Sequence, residues 1–258
     1  MSGFLFEELI FGPVYSRRLG VSLGINLLPV NNKYCNFNCV YCECGWTNTK
    51  GIKIVLPKRE NFKTQLENKL KELQGTVNEP DSITFAGNGE PTIHPDFANI
   101  INDTIDARNS YAPKAAISIL SNASMLHKSS VREALKRVDK NILKLDTGVE
   151  STFQTINQAS GSLTLDKVIK NLISFEGKLI IQTLFVRGEY NGKIIDNTTE
   201  EEIDTWLNVL TKINPEYVMI YPIERGTAAE GIEKIPEHEL KAIAEKVETL
   251  GISTKVYF

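Results

Sequence analysis

The chain has 258 residues, 41% of them hydrophobic and 24% charged, and a net charge of −3. That length can bury a full core in one large α/β domain or two small ones, and the acidic balance leaves no global basic footprint for nucleic acid. No run approaches the roughly 18 apolar residues of a membrane helix. The opening MSGFLFEELIFGP carries Glu7 and Glu8 and lacks a basic stretch, so it is a poor signal peptide. A cytoplasmic location, where thiols stay reduced, is the expectation.

The elements alternate. LGVSLGINLLP (19–29) is apolar and punctuated by glycine, a first strand. NFKTQLENKLKELQ (61–74) puts Phe62, Leu66, Leu70 and Leu73 on one helical face. DSITFAG (81–87) is a strand, PDFANIINDTIDARNS (95–110) a helix with Pro95 near its first turn, and AAISILSN (115–122) a strand that turns polar at its end. SSVREALKRV (129–138) is a helix with Ser129 or Ser130 as its cap, followed by the strand NILKLDTG (141–148). The helix TLDKVIKNLISF (164–175) leads into the strand KLIIQTLFV (178–186). TTEEEIDTWLNVLTKI (198–213) opens with a Thr–Glu capping signal and should bury Ile203, Trp206, Leu207 and Leu210. EYVMIYPI (216–223), the helix PEHELKAIAEKVETLG (236–251) and a short strand in STKVYF complete the pattern.

Apolar strands separated by amphipathic helices imply a parallel sheet covered by helices, in one domain spanning 1–258. Periodicity alone does not choose between an open doubly wound sheet and a barrel. The longest loops are expected at 43–60 and 187–197.

All four cysteines fall at 35, 39, 42 and 44. Chance would produce the C-x3-C-x2-C spacing at a rate on the order of 0.001 in a chain this poor in cysteine. A disulfide framework does not suit a chain with no signal peptide. Structural zinc needs four ligands, and Cys44 is awkwardly close to Cys42 to complete a tetrahedron. Three thiolates on a short loop suit an iron–sulfur cluster with one iron left open. After the second strand, GNGEPTIHPDF (87–97) sets two glycines beside a carboxylate, which suits close backbone approach to a ligand and equally an ordinary strand-to-helix turn. Polar residues recur where later strands end: Ser121 and Asn122, Lys144 and Asp146, Gln182, Tyr221. Ligand sites of parallel α/β proteins lie at that rim.

CNFNCVYC, with Tyr41 before the third cysteine, resembles the signature of the radical S-adenosylmethionine superfamily. The segments GPVYSRRLGVSLGINLLP, FAGNGEPTIHPDF, KLDTG, IQTLFVRG and IYPIERG resemble its branch related to the tRNA wybutosine-synthesis enzyme. The resemblance implies a partial (β/α)6 TIM-like barrel, open on one side. It implies that Cys35, Cys39 and Cys42 hold a 4Fe-4S cluster and that Cys44 does not ligate. Gly87, Asn88, Gly89 and Glu90 stand where the family has Gly-Gly-Glu or a variant and binds the methionine ammonium of S-adenosylmethionine. Asn122 and Asp146 are the carried-over candidates for the cofactor's carboxylate and ribose; Tyr41, Ser121, Lys144, Gln182 and Tyr221 complete the candidate contacts. The implied chemistry is cleavage of S-adenosylmethionine to a 5′-deoxyadenosyl radical that takes hydrogen from a substrate, with reduced flavodoxin or ferredoxin as electron donor. The substrate could be a small molecule, a peptide or protein, or tRNA. The tRNA enzymes of this kind use further upstream cysteines, and residues 1–34 contain none. A glycyl-radical activase acting on a partner protein is an alternative, as is an iron–sulfur electron carrier or sensor without a nucleoside site. The segment RGEYNGKIIDN (187–197), with Gly188 and Gly192 and no apolar period, is expected to be a mobile lid or docking loop with Arg187 and Tyr190 facing the substrate.

Overall fold

The computed structural model describes residues 3–48 and 51–258. Strands β1 (Ile10–Ser16) and β2 (Gly20–Ile25) form an antiparallel hairpin. Strand–helix units follow: α1 (Arg59–Leu73), β3 (Ser82–Phe85), α2 (Phe97–Tyr111), β4 (Ala116–Ser121), α3 (Ser129–Leu135) and β5 (Lys140–Lys144). Two short helices, α4 (Glu150–Ile156) and α5 (Leu165–Ile173), precede β6 (Ile180–Leu184). Then come β7 (Val186–Tyr190), β8 (Lys193–Asp196), α6 (Glu200–Ile213) and β9 (Tyr217–Tyr221). Strand β10 (Ile232–Lys234), α7 (Glu237–Glu248) and β11 (Thr254–Val256) close the series.

The main sheet has the order β1-β2-β3-β4-β5-β6-β9-β11, parallel from β2 onward. Its ends, β1 and β11, do not pair, so the structure is a partial parallel β/α barrel, open on one side. All residues of β3 and β6 are buried, as expected for strands covered on both faces. Helix α1 buries Phe62, Leu66, Leu70 and Leu73, the face its periodicity defines. Helix α6 is capped by Thr199, whose side chain accepts from the Glu202 N–H. It buries Ile203, Trp206 and Leu210 as expected, but with Val209 and Ile213, while Leu207 is only half-buried. Among the described residues no helix is long and apolar enough to cross a membrane.

Four local readings are corrected. The first strand is preceded by β1, which the sequence pattern does not announce. Helix α3 is entered at Lys128 without a side-chain cap, so neither Ser129 nor Ser130 caps it; both lie within its first turn. Helix α4 was not expected at all. The segment 187–197 is an ordered antiparallel hairpin, β7–β8, which β10 extends to a three-stranded sheet. Asn191 and Gly192, both at positive φ, form its two-residue turn, and Gly188 admits the close approach of β10: a Cβ there would stand 2.0 Å from the Gly231 carbonyl oxygen.

Candidate active site

A cavity of about 630 Å³ opens within the barrel, lined by all four cysteines, by Gly87, Gly89 and Glu90, and by residues from the ends of β4, β5, β6 and β9. The cysteine loop reaches it because two distant segments pair with its backbone. Tyr34 N–H donates to the Asn88 carbonyl at 2.8 Å, and Glu90 N–H to the Tyr34 carbonyl at 3.3 Å. Gly89 has φ of 140°, and a Cβ there would lie 2.0 Å from the Tyr34 oxygen and 3.1 Å from Cys35 Cβ, so only glycine fits. On the other side, Val40 N–H donates to the Ile156 carbonyl at 2.9 Å, and Asn38 N–H to the Asn157 carbonyl at 3.0 Å. Helix α4 therefore serves as an anchor for the loop.

Backbone and side-chain N–H groups reach two of the thiols. The Phe37 N–H and the Asn122 amide reach Cys35 Sγ at 3.4 and 3.5 Å, and the Asn157 amide reaches Cys39 Sγ at 3.6 Å. Lys33 is buried and donates to the Gly45 carbonyl at 2.9 Å. Burial alone would lower the Lys33 pKa, but the charges of Cys42, Cys35 and Cys39 outweigh it and the value is raised. Burial pushes the Cys35 thiol up to about 12 and also raises Cys39. Cys42 goes the other way, lowered first by its hydrogen bond with Cys44, whose own thiol is raised by the same contact. Cys44 Sγ also contacts the Gly87 carbonyl at 3.6 Å.

Glu90 is buried and accepts from the Asn122 N–H at 2.6 Å, the Ser121 hydroxyl at 2.8 Å, the Thr92 N–H at 3.0 Å and the Thr92 hydroxyl. Burial raises its pKa despite these bonds, and among the described residues no cation pairs with it. Elsewhere on the cavity wall, the Lys144 ammonium donates to the Tyr41 hydroxyl at 2.7 Å and lies 3.5 Å from Asp146 Oδ2. Burial would lower the Lys144 pKa, but the Asp146 carboxylate leads the opposing charges and it stays raised. Asp146 also accepts from the Tyr41 hydroxyl, from the Asn157 amide at 2.7 Å and from the Leu184 N–H at 3.0 Å. The Tyr221 hydroxyl donates to Gln182 Oε1 at 3.3 Å.

Residues 32–194 match the Radical SAM superfamily, well over half of the chain. The chain belongs to the radical SAM superfamily. A protein of Brachyspira hyodysenteriae named GTPase Obg is 32% identical over 250 residues, which cover 92% of this chain and 33% of that protein, so the chain spans about a third of it. A UPF0026 protein of Helicobacter pylori strain J99 is 29% identical over 249 residues, covering 95% of this chain and 75% of the relative. A radical SAM methyltransferase from Sphaerobacter thermophilus shares the fold, with a TM-score of 0.67 at 12% identity over 92% of this chain and 65% of that one.

Cys35, Cys39, Tyr41 and Cys42 come together with Gly87, Gly89, Glu90, Ser121, Asn122, Lys144, Gln182 and Tyr221 around the same cavity. Asn88 and Asp146 are not on its wall. Asn88 is fully buried and holds the N-terminal segment: it accepts from the Phe6 N–H at 2.8 Å and donates to the Phe6 and Pro29 carbonyls at 2.9 and 2.8 Å. Asp146 stands behind Lys144 and Tyr41. Arg187 and Tyr190 do not face the cavity either: Arg187 pairs with Glu239 at the start of α7, and Tyr190 stacks on Trp46 with ring centroids 5.5 Å apart. Sequence reading missed Lys33, Asn157 and a further part of the cavity wall. That part is made by Phe4, Phe6 and Phe11, by Arg17 and Arg18 from the β1–β2 hairpin, and by Pro222 and Ile223. A lysine two residues before the first cysteine was the available signal for Lys33. Nothing local marks the others.

Among the described residues no group of three or more His, Cys, Asp or Glu side chains could hold a metal ion. Ligands of a multi-iron cluster stand farther apart than those of one ion. The donor chemistry fits such a cluster: three thiols on one cavity wall, amide donors at two of the sulfurs, and a buried lysine beside all three.

Proposed function

We propose that the protein is a radical SAM enzyme in which Cys35, Cys39 and Cys42 hold a 4Fe-4S cluster and Cys44 remains a free thiol. The cluster and S-adenosylmethionine, when bound, supply one-electron cleavage of the sulfonium and a 5′-deoxyadenosyl radical that takes a hydrogen atom from the substrate. The protein's own residues bind, orient and shield. Glu90 receives the methionine ammonium: among the described residues it is a buried carboxylate with no cation of its own, and Oε2 accepts one bond, from the Asn122 N–H. Asn122 and Ser121 set the Glu90 rotamer and, with Gln182 and Tyr221, offer polar contacts to the nucleoside. Asp146 acts at one remove, fixing Lys144 and Tyr41 against the cysteine loop. Phe6 and Phe11, stacked with ring centroids 3.8 Å apart, give the cavity an apolar stretch of wall that limits water. Reduced flavodoxin or ferredoxin is the proposed electron donor. The finer placement, near the wybutosine-synthesis enzyme, rests on the sequence segments quoted above.

The observation that carries this reading is the Tyr34–Gly89 pairing, which sets the cysteine loop and Glu90 side by side. The test is anaerobic reconstitution with iron and sulfide, reduction with dithionite, and assay for 5′-deoxyadenosine and methionine. Slow cleavage without substrate is expected. A reconstituted protein with a reduced cluster that leaves S-adenosylmethionine intact would sink the proposal.

A further inference from the structure

The charges of the cavity wall are nearly all accounted for. Arg17 pairs with Glu224 at 2.9 Å, Arg225 with Glu43 at 3.2 Å, and Lys144 with Asp146 at 3.5 Å. Lys33 sits among the cysteines. Arg18 differs. It lines the cavity, it is half-buried, and among the described residues no carboxylate pairs with it. Its guanidinium lies over the Tyr221 ring, 5.0 Å from the centroid. Stacking fixes the plane of the guanidinium and leaves its N–H fork free for a planar or tetrahedral oxyanion. Of the cavity's carboxylates, Glu224 is shared by Arg17 and Lys234, Glu43 pairs with Arg225, and Glu90 is held by N–H and hydroxyl donors, which leaves none on Arg18.

We infer that Arg18 is the binding residue for an anionic group, a carboxylate or a phosphate, on the substrate of this enzyme. The inference names the substrate class of the site proposed above and rests on that reading for the word substrate; the anion site itself does not depend on it. The position suits an access-side contact. Arg18 stands in the turn of the β1–β2 hairpin, and its neighbour Arg17 reaches Glu224 just beyond β9, so the turn spans the unpaired side of the barrel. An anion on Arg18 would place the rest of the substrate inward, toward the thiol side.

The experiment titrates inorganic phosphate, and separately malonate, into the full chain as purified and follows heat or, for phosphate, the ³¹P line width. Millimolar binding of at least one probe is expected. Arg18→Gln should weaken it by about ten- to a hundredfold, the scale of hydrogen bonds to a charged group, and Arg18→Lys by less. Arg17→Gln should leave it within about twofold. Thermal melts of the variants separate a lost contact from a lost fold. A preference for phosphate or for malonate identifies the group. The titration is then repeated on reconstituted protein saturated with S-adenosylmethionine. Unchanged probe affinity is expected: Gln182 and Tyr221 border both ligands, but only the anion takes the Arg18 guanidinium. Absence of binding by both probes overturns the inference, as does wild-type affinity in Arg18→Gln. Competition by S-adenosylmethionine overturns it too, since Arg18 would then serve the cofactor's own carboxylate. The readout needs no turnover, so a failure of cofactor cleavage and a failure of the anion site are seen separately.

Discussion

The two walls of the cavity are held by different kinds of interaction. The cysteine side is fixed by buried bonds between segments far apart in the chain: Tyr34 to the 88–90 turn, Val40 to Ile156, Asn157 to Asp146, Glu90 to Asn122. The hairpin side is held at its turn by an ion pair whose side chains remain substantially exposed, 54% and 34% for Arg17 and Glu224, and a second such pair, 61% and 38% for Arg225 and Glu43, ties the segment after β9 to the cysteine loop. Buried, multiply bonded groups fix geometry to a fraction of an ångström, whereas exposed ion pairs contribute little and rearrange. The difference suits the function proposed above: a rigid side for the proposed cofactor chemistry and an adjustable side for the proposed substrate.

The sharpest break of that comparison removes a ligand. Cys42→Ala should lose the intact cluster after anaerobic reconstitution, while Cys44→Ala should keep about four irons per chain. Iron and sulfide analysis decides it. If Cys44→Ala also lost its iron, the division between three ligands and one bystander would be wrong.

Next in size is Gly89→Ala. The added Cβ would meet backbone at 2.0 Å, at φ of 140°. Backbone on both sides has little room to yield, so a loss of about 2–4 kcal/mol is expected in a urea titration. A loss below about 1 kcal/mol would mean that the rigid wall is not rigid.

Glu90→Gln tests the same wall from the ligand side. Cofactor affinity should fall by about 1.5–3 kcal/mol, the scale of a hydrogen bond to a charged group. The pH dependence has a definite sign. Burial holds the free Glu90 pKa above its ordinary value, and an ammonium ligand favours the carboxylate. Affinity should therefore rise with pH through the raised Glu90 pKa, level off above it, and be lost as pH falls. The variant should show no such step. Equilibrium dialysis across a pH series reads both effects, and equal affinities for the two proteins would remove Glu90 from the ammonium site.

The same contrast explains what the sequence made legible. The strand–helix alternation was readable because Ile, Leu and Phe lead β3, β4 and β6 and α1 keeps a 3.6-residue face; those signals are local, and the choice of a barrel came from the family resemblance. The cysteines, Gly89 and Glu90 were readable because spacing and residue type carry the chemistry. Asn88 and Asp146 sat correctly at the rim in sequence, yet strand position alone does not say whether a side chain meets the cavity or supports a neighbour. The exposed wall was not legible. Strand β1 reads IFGPVYS, whose glycine and proline interrupt any alternation, and it is held by pairing with β2 and by Phe11 filling the space above Gly24. The β7–β8 hairpin hid behind weak alternation, although Asn191–Gly192 is a strong turn signal; β10 and the Arg187–Glu239 pair stabilise it from afar.

The smallest effect belongs to the adjustable wall. Glu224 holds both Arg17 and Lys234, at 2.9 and 3.0 Å. Partial burial would raise its carboxyl pKa, but bonds from Lys234 and Arg17 outweigh this and the value is lowered. A lowered pKa in the fold means stability that is present above the ordinary carboxylate range and lost as pH falls through the folded value. Solvent screening keeps the contribution small, so Glu224→Gln should cost well under about 1 kcal/mol at neutral pH. The cost should vanish at high ionic strength and at acid pH, where wild type and variant should melt together. What should change is the cavity mouth: with Arg17 released, amide hydrogen exchange should rise in the 16–20 turn and stay constant at 34–42 and 88–90. Equal protection in all three segments before and after the substitution would show that the hairpin is as firmly held as the cysteine loop. The two walls would then differ in composition but not in mobility.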